Sequence, residues 1–435
     1  MKILVVGGGG REMALVHHLA QRHTVLCAGG SDAIAELASV IPLPSPSSDA
    51  VATYGTDEAW KLAWQELADT ARSNAIDLTI VGPEAPLATG ITDVFSREGL
   101  PIFAPTQAAA RIETSKAYAK QIMDSAGVPT ARFQLFDDPQ PALDYIKNPT
   151  TRFPLVLKEN GLRAGKGVTI CESKTAAENT LRSLTVDAGN PLIIEDYLEG
   201  FEFSLIVMAH GTSYVPLPVA QDHKPIGEGN TGANTGGMGA VSPVPRVTDE
   251  LYQSALTDVI EPTLAELSRQ GNPFTGFLYA GLIATSTGVK VIEFNARLGD
   301  PEAEVILPRI TSDLAQAAAD LLHSDGASVT VSEHTCLGIV LSSPGYPGAV
   351  TSHPHVPQAL LDAIGKDPAI GITHMGTKRE ADAWIASGGR VALVYTTADS
   401  IRECQSKLLS LLGQNLPDPA PNTLYYRRDI GNYAS

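Results

Sequence analysis

The sequence predicts a protein of the α/β and α+β class, built from several domains around a shared cleft. Three observations carry this. At 435 residues the chain is longer than one hydrophobic core usually serves. It opens with an apolar run, Lys2-Ile-Leu-Val-Val6, then four glycines at 7 to 10 and a helical pattern through Arg22, the opening unit of a doubly wound sheet. Near its middle, Phe153-Pro-Leu-Val-Leu-Lys-Glu-Asn-Gly-Leu-Arg-Ala-Gly-Lys-Gly-Val-Thr-Ile-Cys171 places a glycine-rich turn between two apolar runs, which reads as strand, loop, strand.

Taken in order, Asp77-Leu-Thr-Ile-Val-Gly-Pro-Glu84 is a buried strand ending in a turn, and residues 100 to 104 form another short strand. In an open α/β sheet ligands collect at the carboxyl ends of strands, so Gly82, Pro83 and Glu84 belong on the same edge as the first four glycines. From Thr106 the pattern is helical through Thr114-Ser-Lys116 to Ser125, stopping at Gly127-Val-Pro129. A helix from Lys174 to about Thr185 precedes the strand Pro191-Leu-Ile-Ile-Glu-Asp-Tyr-Leu198, on which Glu195 and Tyr197 share a face. Further strands are expected at 203 to 209, 214 to 220, 277 to 285 and 290 to 294, with helices at 251 to 270 and 313 to 323. Strands near 336 to 341 and 389 to 395 and a helix at 400 to 412 predict a small α+β module at the end.

Composition narrows the function. The chain carries 31 Lys plus Arg against 48 Asp plus Glu, a formal charge of -17, which disfavours nucleic acid as the main partner. No apolar run reaches the ~20 residues of a membrane span, and the start reads as a first strand, not a signal peptide. Four widely separated cysteines, Cys27, Cys171, Cys336 and Cys404, form no CxxC pair and read as buried thiols in a reducing cytoplasm.

The chemistry-bearing stretches are rich in glycine and charge. In the central turn Gly161, Gly165 and Gly167 free backbone N–H groups while Lys158, Arg163 and Lys166 add positive charge, a combination suited to a polyphosphate or, alternatively, an ordinary basic hairpin tip. It is not a Walker A loop, because Lys166 is followed by Gly167 and no helix follows directly. The opening glycines likewise break the GxGxxG frame, since the third glycine would fall at Glu12 or Met13; they fit another anion site or a structural turn. A second run, Gly227-Glu-Gly-Asn-Thr-Gly-Ala-Asn-Thr-Gly-Gly-Met-Gly239, could clamp a ligand through backbone and amide groups or act as a linker. In Val291-Ile-Glu-Phe-Asn-Ala-Arg297 an extended chain turns Glu293, Asn295 and Arg297 to one face. That set suits Mg²⁺ and its phosphate, or a solvated salt-bridge face.

In this order the stretches resemble the ATP-grasp ligases, and within them the phosphoribosylamine-glycine ligases of purine synthesis. The carriers are Gly9-Gly-Arg-Glu12, Val81-Gly-Pro-Glu-Ala-Pro-Leu87, Ser115-Lys116, Gly161-Leu with Ala164-Gly-Lys-Gly-Val168, Gln221-Asp-His-Lys224, Asn234-Thr-Gly-Gly-Met-Gly239, Gly276-Phe-Leu-Tyr-Ala-Gly281, and Ile292-Glu-Phe-Asn295 followed by Arg297 and Gly299-Asp-Pro-Glu302. The resemblance implies a Rossmann-like N-terminal domain at 1 to 104, an ATP-grasp domain at 105 to 328 with a mobile lobe at about 128 to 197, and a C-terminal domain at 329 to 435. It implies ligation of glycine to 5-phosphoribosylamine with ATP and Mg²⁺ or Mn²⁺, through glycyl phosphate, by a cytoplasmic monomer or weak dimer. Transient contact with the enzyme supplying the labile amine goes with it.

Carried over by position, Lys116 and Lys158 hold phosphates under a loop that includes Gly161, Gly165, Lys166, Gly167 and Val168. Glu195, Asp196, Tyr197 and Leu198 form an adenine hinge, Glu202 meets the ribose, and Glu293 and Asn295 take the metal. Arg297 steadies the transferring phosphoryl group, and Asp222 takes the glycine ammonium. Gly9, Gly10, Arg11, Glu12, Glu84, Asp222, Lys224, Asn234, Thr235, Gly236, Gly237, Met238 and Arg297 line the substrate pockets.

The chain departs from the usual pattern at Gly8, Met13, Asn160, Arg163, Asn230, Ala233 and Ala303-Glu304. Met13, Asn230 and Ala233 are expected on the acceptor side, which leaves open a ligase for another acid or amine. A non-catalytic nucleotide-binding regulator is the reading from a different class, opposed by the intact Glu293 and Asn295.

Overall fold

The computed structural model describes residues 1–48, 56–162, 167–323, 326–416 and 422–432. The expectations for Arg163, Gly165 and Lys166 therefore fall outside the described residues.

The first apolar run becomes β1 (Lys2–Val6), the centre of a parallel sheet in the order β3-β2-β1-β4-β5, with β2 at Thr24–Ala28, β3 at Ser39–Ile41, β4 at Leu78–Val81 and β5 at Ile102–Phe103. The β1 residues 3 to 6 are fully buried because helices cover both faces of a parallel sheet. The order reverses between β1 and β4, and their carboxyl ends carry the opening glycines and the Gly82-Pro83-Glu84 turn. Glycine is required here by close approach: a Cβ on Gly82 would lie 2.1 Å from Glu12 Oε1.

The central turn sits in a four-stranded antiparallel sheet in the order β6-β9-β7-β8, formed by β6 (Phe133–Phe136), β7 (Leu155–Glu159), β8 (Val168–Cys171) and β9 (Leu192–Asp196). Helices Pro139–Lys147 and Lys174–Ser183 cover one face, where Leu155, Leu157, Ile194, Ala142 and Leu181 share a small core. Strand alternation sends Lys158 and Glu195 to the other face. β9 ends at Asp196, so Tyr197 does not continue the face of Glu195 and is 42% exposed.

A second antiparallel sheet, β11-β10-β16-β17, comprises β10 (Phe201–His210), β11 (Ser213–Pro216), β16 (Thr275–Thr285) and β17 (Gly288–Asn295). The third sheet draws on both the middle and the end of the chain. β12 (Gln221–Asp222) and β15 (Gly239–Ser242) pair onward to β18 (Thr335–Ser342), β22 (Arg390–Ala398) and β19 (Ile370–His374). The expected ligand clamp at 227 to 239 includes a hairpin, β13 (Pro225–Gly227) against β14 (Thr231–Asn234). The remaining pair, β20 (Thr377–Glu380) and β21 (Ala383–Ala386), is a separate hairpin. All four cysteines are buried with free thiols, and no helix among the described residues is long and apolar enough to cross a membrane.

Candidate active site

A cleft of about 400 Å³ opens where the three antiparallel sheets meet the edge of the parallel sheet. Its lining brings together Lys116, Lys158, Gly161, Gly167, Val168 and Glu195 with Arg11, Glu84, Asp222, Lys224, Thr235, Gly236, Glu293, Asn295 and Arg297. Residues more than 280 positions apart thus meet in one cleft.

One wall is the helix Lys116–Ala126, whose start is set by Ser115: its hydroxyl accepts from the Tyr118 N–H at 3.2 Å. The expected single helix from Thr106 is split here, because Ser115 is extended as the cap between Arg111–Thr114 and Lys116–Ala126. Asn160 Oδ1 accepts from Ser115 Oγ and from the Ala117 N–H, so this departure from the family pattern ties the central turn to the helix start. Lys116 Nζ donates to the Gly161 carbonyl at 2.8 Å, closing the same junction.

Below it the buried carboxylate of Glu195 lies 2.9 Å from both Lys120 Nζ and Lys158 Nζ. Lys158 also donates to the Ile292 carbonyl at 3.0 Å. Burial pushes the Lys120 ammonium down to about 8, assisted by Lys158 and opposed by Glu195. Two buried ammonium groups need an anion, and Glu195 supplies one before any ligand arrives.

The opposite wall is β17. Glu293 and Asn295, two residues apart, both face the cleft, and a carboxylate with an amide oxygen is a hard-donor pair that fits a divalent cation such as Mg²⁺. The strand ends at Asn295, yet Arg297 still reaches the cleft because the buried Glu113 holds it. Glu84 lies 3.5 Å from Arg297 and 3.9 Å from Arg11, linking both guanidiniums to the N-terminal sheet edge. Burial raises the Glu84 carboxyl, but Arg297, its own helix-start amide and Arg11 together hold it below the ordinary range.

At the far end Lys224 Nζ stands 3.5 Å from Asp222 and 3.1 Å from Glu202. Burial pushes the Asp222 carboxyl up to about 7; Lys224 opposes this, while Glu302, Glu202 and Glu293 add to it. Glu302 accepts from both Ser204 Oγ and Tyr279 Oη, at 2.8 and 3.0 Å.

Family models for phosphoribosylglycinamide synthetase match the chain in succession: the N domain at residues 1–113, the ATP-grasp (A) domain at 114–303 and the C domain at 336–433. The chain belongs to this family. The phosphoribosylamine-glycine ligase of Halalkalibacterium halodurans is 38% identical over 442 residues, covering 100% of this chain and 97% of that protein. The enzyme of that name from Lactococcus lactis is 39% identical over 443 residues, covering 100% of both. The crystal structure of the Thermotoga maritima phosphoribosylamine-glycine ligase superposes with a TM-score of 0.79 at 26% identity, covering 99% of this chain and 100% of that one.

Several residues expected from the resemblance lie outside the cleft lining. Asp196, Tyr197 and Leu198 leave it because β9 ends, and only Glu195 of that hinge lines it. Met238 is fully buried in the core, with its carbonyl accepting from Val340, and is no pocket residue. Gly237, at φ +111°, packs on Pro301, and Asn234 ends the exposed hairpin. Gly9, Gly10 and Glu12 act from behind: Glu12 accepts from the Gly9 N–H at 2.7 Å and from Arg11 Nε at 2.7 Å, presenting Arg11 to the cleft. Glu202 does not line the cleft and is tied to it by its ion pair with Lys224. Met13 is buried in the core and Ala233 is exposed on the hairpin, so neither lines the cleft. Asn230 instead accepts from the buried Arg427, which also donates to the Pro225 carbonyl.

The structure adds residues that the motifs did not single out as site groups: Glu113, Lys120, Tyr279, Asp300, Glu302 and Arg390 all line the cleft. Lys120 carried a signal. It stands four residues after Lys116 on one helix, a like-charge pair that is unfavourable without an anion nearby.

Proposed function

We propose that this protein joins glycine to 5-phosphoribosylamine with ATP, giving glycinamide ribonucleotide, ADP and phosphate, the reaction named for its full-length relatives. The supporting observation within the molecule is the meeting of Lys116, Lys158 and Arg297 with Glu293 and Asn295 in one cleft bordered by the N-terminal sheet edge.

A carboxylate resists attack by an amine, so a glycine oxygen first attacks the γ-phosphorus and ADP leaves. The amine of phosphoribosylamine then attacks the glycyl phosphate carbonyl; the C–N bond forms, phosphate departs and the nitrogen loses a proton. In this reading Lys116 and Lys158 bind the α and β phosphates, and Ile112, Ala119, Met123, Leu162, Val168 and Phe294 provide apolar surface for the base. Glu293 and Asn295 would hold Mg²⁺ or Mn²⁺, whose chemistry when bound is to neutralise phosphate charge. Arg297 steadies the charge on the phosphoryl group in flight. Asp222 takes the glycine ammonium, which would keep its carboxyl ionised. Arg11, Glu84, Thr235 and Gly236 border the acceptor side. The lobe carrying β7 and β8 closes over the intermediate to exclude water. A cytoplasmic monomer or weak dimer that receives its labile amine by brief contact with the supplying enzyme completes the reading.

The test is ADP release with ATP and Mg²⁺, omitting glycine or freshly made phosphoribosylamine in turn, with the product identified by mass. ADP formation that requires both, with glycinamide ribonucleotide as product, supports the proposal. ATP turnover that ignores both substrates, or responds to another acid or amine, overturns it.

A further inference from the structure

We infer that Glu113 is the positioning residue for Arg297, holding the guanidinium aimed at the phosphoryl group before ATP arrives. The inference rests on the reading of Arg297 as the phosphoryl-stabilising group. Glu113 belongs to the four-residue helix Arg111–Thr114 and is 7% exposed. Its two oxygens divide their work between neighbouring residues of the opposite wall. Oε2 accepts from the Ala296 N–H at 2.8 Å, and Oε1 lies 3.0 Å from Arg297 Nη2. One carboxylate thus fixes both the backbone at which β17 ends and the side chain that follows it.

The other contacts of Arg297 cannot do this alone. Nη1 donates to the adjacent Leu298 carbonyl, and Nε has no hydrogen-bond partner among the described residues although Glu84 lies 3.5 Å away. Glu84 is also shared with Arg11 and its side chain is 34% exposed, so it is the looser holder. Glu113 also stands three residues before Lys116, so one short segment places a proposed phosphate lysine and the holder of the phosphoryl arginine. Burial raises the Glu113 carboxyl while Arg297 lowers it, as expected for a pair that is costly to bury apart.

A packing role and a positioning role separate in the kinetics. Glu113→Gln keeps an oxygen for the Ala296 N–H and removes the charge held against Arg297. Turnover should fall roughly 10 to 100-fold, the scale of a misplaced reacting group, while the ATP KM and the affinity for ADP change less than about threefold. Arg297→Lys should show the same split, and the double variant should be no slower than the slower single one. Glu113→Asp, which retains the charge on a shorter arm, should recover part of the lost turnover and serves if the Gln variant folds poorly. If Arg297→Lys is slow but Glu113→Gln turns over normally, the positioning role is overturned and the Arg297 reading stands. If Arg297→Lys turns over normally, both fall. Multiplicative losses in the double variant would show Glu113 acting independently of Arg297 and would also overturn the inference.

Discussion

The two ends of the cleft balance their buried charges in opposite ways. On the side proposed for the nucleotide each buried cation among the described residues touches a carboxylate: Lys120 and Lys158 share Glu195, and Arg297 meets Glu113. On the acceptor side the carboxylates outnumber the cations near them. Asp222 has Lys224 but also faces Glu302, Glu202 and Glu293, and behind the cleft lining Glu304 is fully buried with neither side-chain oxygen hydrogen-bonded among the described residues. The difference teaches which ligand each end awaits. A cationic floor that is partly neutralised stays folded when empty and keeps net positive charge for an anion, whereas an excess of carboxylate favours a ligand that brings a cation or N–H donors.

The largest effect should come from the nucleotide side. Lys158→Ala removes one preorganised donor and leaves Glu195 with a single ammonium partner, so turnover should drop about 10²-fold or more. Steady-state ADP release from folded variant protein checks this, and near-normal rates would mean that the paired floor does not bind phosphate.

The acceptor side should respond next, and through glycine. Asp222→Asn should raise the glycine KM by about 10 to 100-fold, the worth of a hydrogen bond to a charged group, with a smaller change in the ATP KM. The wild type carries a pH signature as well. With the Asp222 carboxyl at about 7 in the ligand-free protein, it gains charge as pH rises through that value, so glycine should bind better at the upper end. A glycine KM that is flat across neutral pH and insensitive to the substitution would move the ammonium site elsewhere.

The opposing wall offers an intermediate test. Glu293→Gln exchanges a carboxylate for an amide in a hard-donor pair, so more Mg²⁺ should be needed for half-maximal rate, at unchanged maximal metal affinity of free ATP. An unaltered metal titration would remove Glu293 from the metal site.

This asymmetry was only partly legible in the residues. Groups embedded in local motifs, such as Lys116, Lys158, Glu293, Asn295 and Asp222, all reached the cleft because strand alternation and glycine turns are short-range signals. Counter-ions were harder to see. Glu113 and Lys120 lie in helical segments where a charge usually marks a solvated face, and only the fold buries them. Arg390 pairs with Asp300 across 90 positions, a distance no motif spans. The strand expected through Leu198 stops at Asp196, because an apolar run shows that a strand exists more clearly than where it stops. Asn230 was misplaced for a different reason: it occupies a left-handed turn position, at φ 56°, and its partner Arg427 belongs to the last segment of the chain.

Glu304 gives the smallest and most specific test of the uncompensated side, because it reads out in stability. Its Oε1 lies against Gly10, where an added Cβ would approach to 2.7 Å, and Met375 packs at the same point, so the carboxyl is sealed between the N-terminal sheet edge and the C-terminal part. Burial pushes its carboxyl well above the usual range, Asp300 adds to this, and Arg390 and Arg11 oppose it. The unfolded chain loses this proton near the ordinary value of ~4.3, while the folded chain keeps it to higher pH. Folding therefore loses stability as pH rises from that ordinary value toward the raised folded one. Glu304→Gln removes the ionisation, so the variant should gain on the wild type progressively as pH rises above the ordinary carboxyl range. Denaturation curves collected from acid to alkaline pH check the sign directly. A variant that gains nothing on the wild type between acid and pH 8 would show that Arg390 and Arg11 already compensate Glu304.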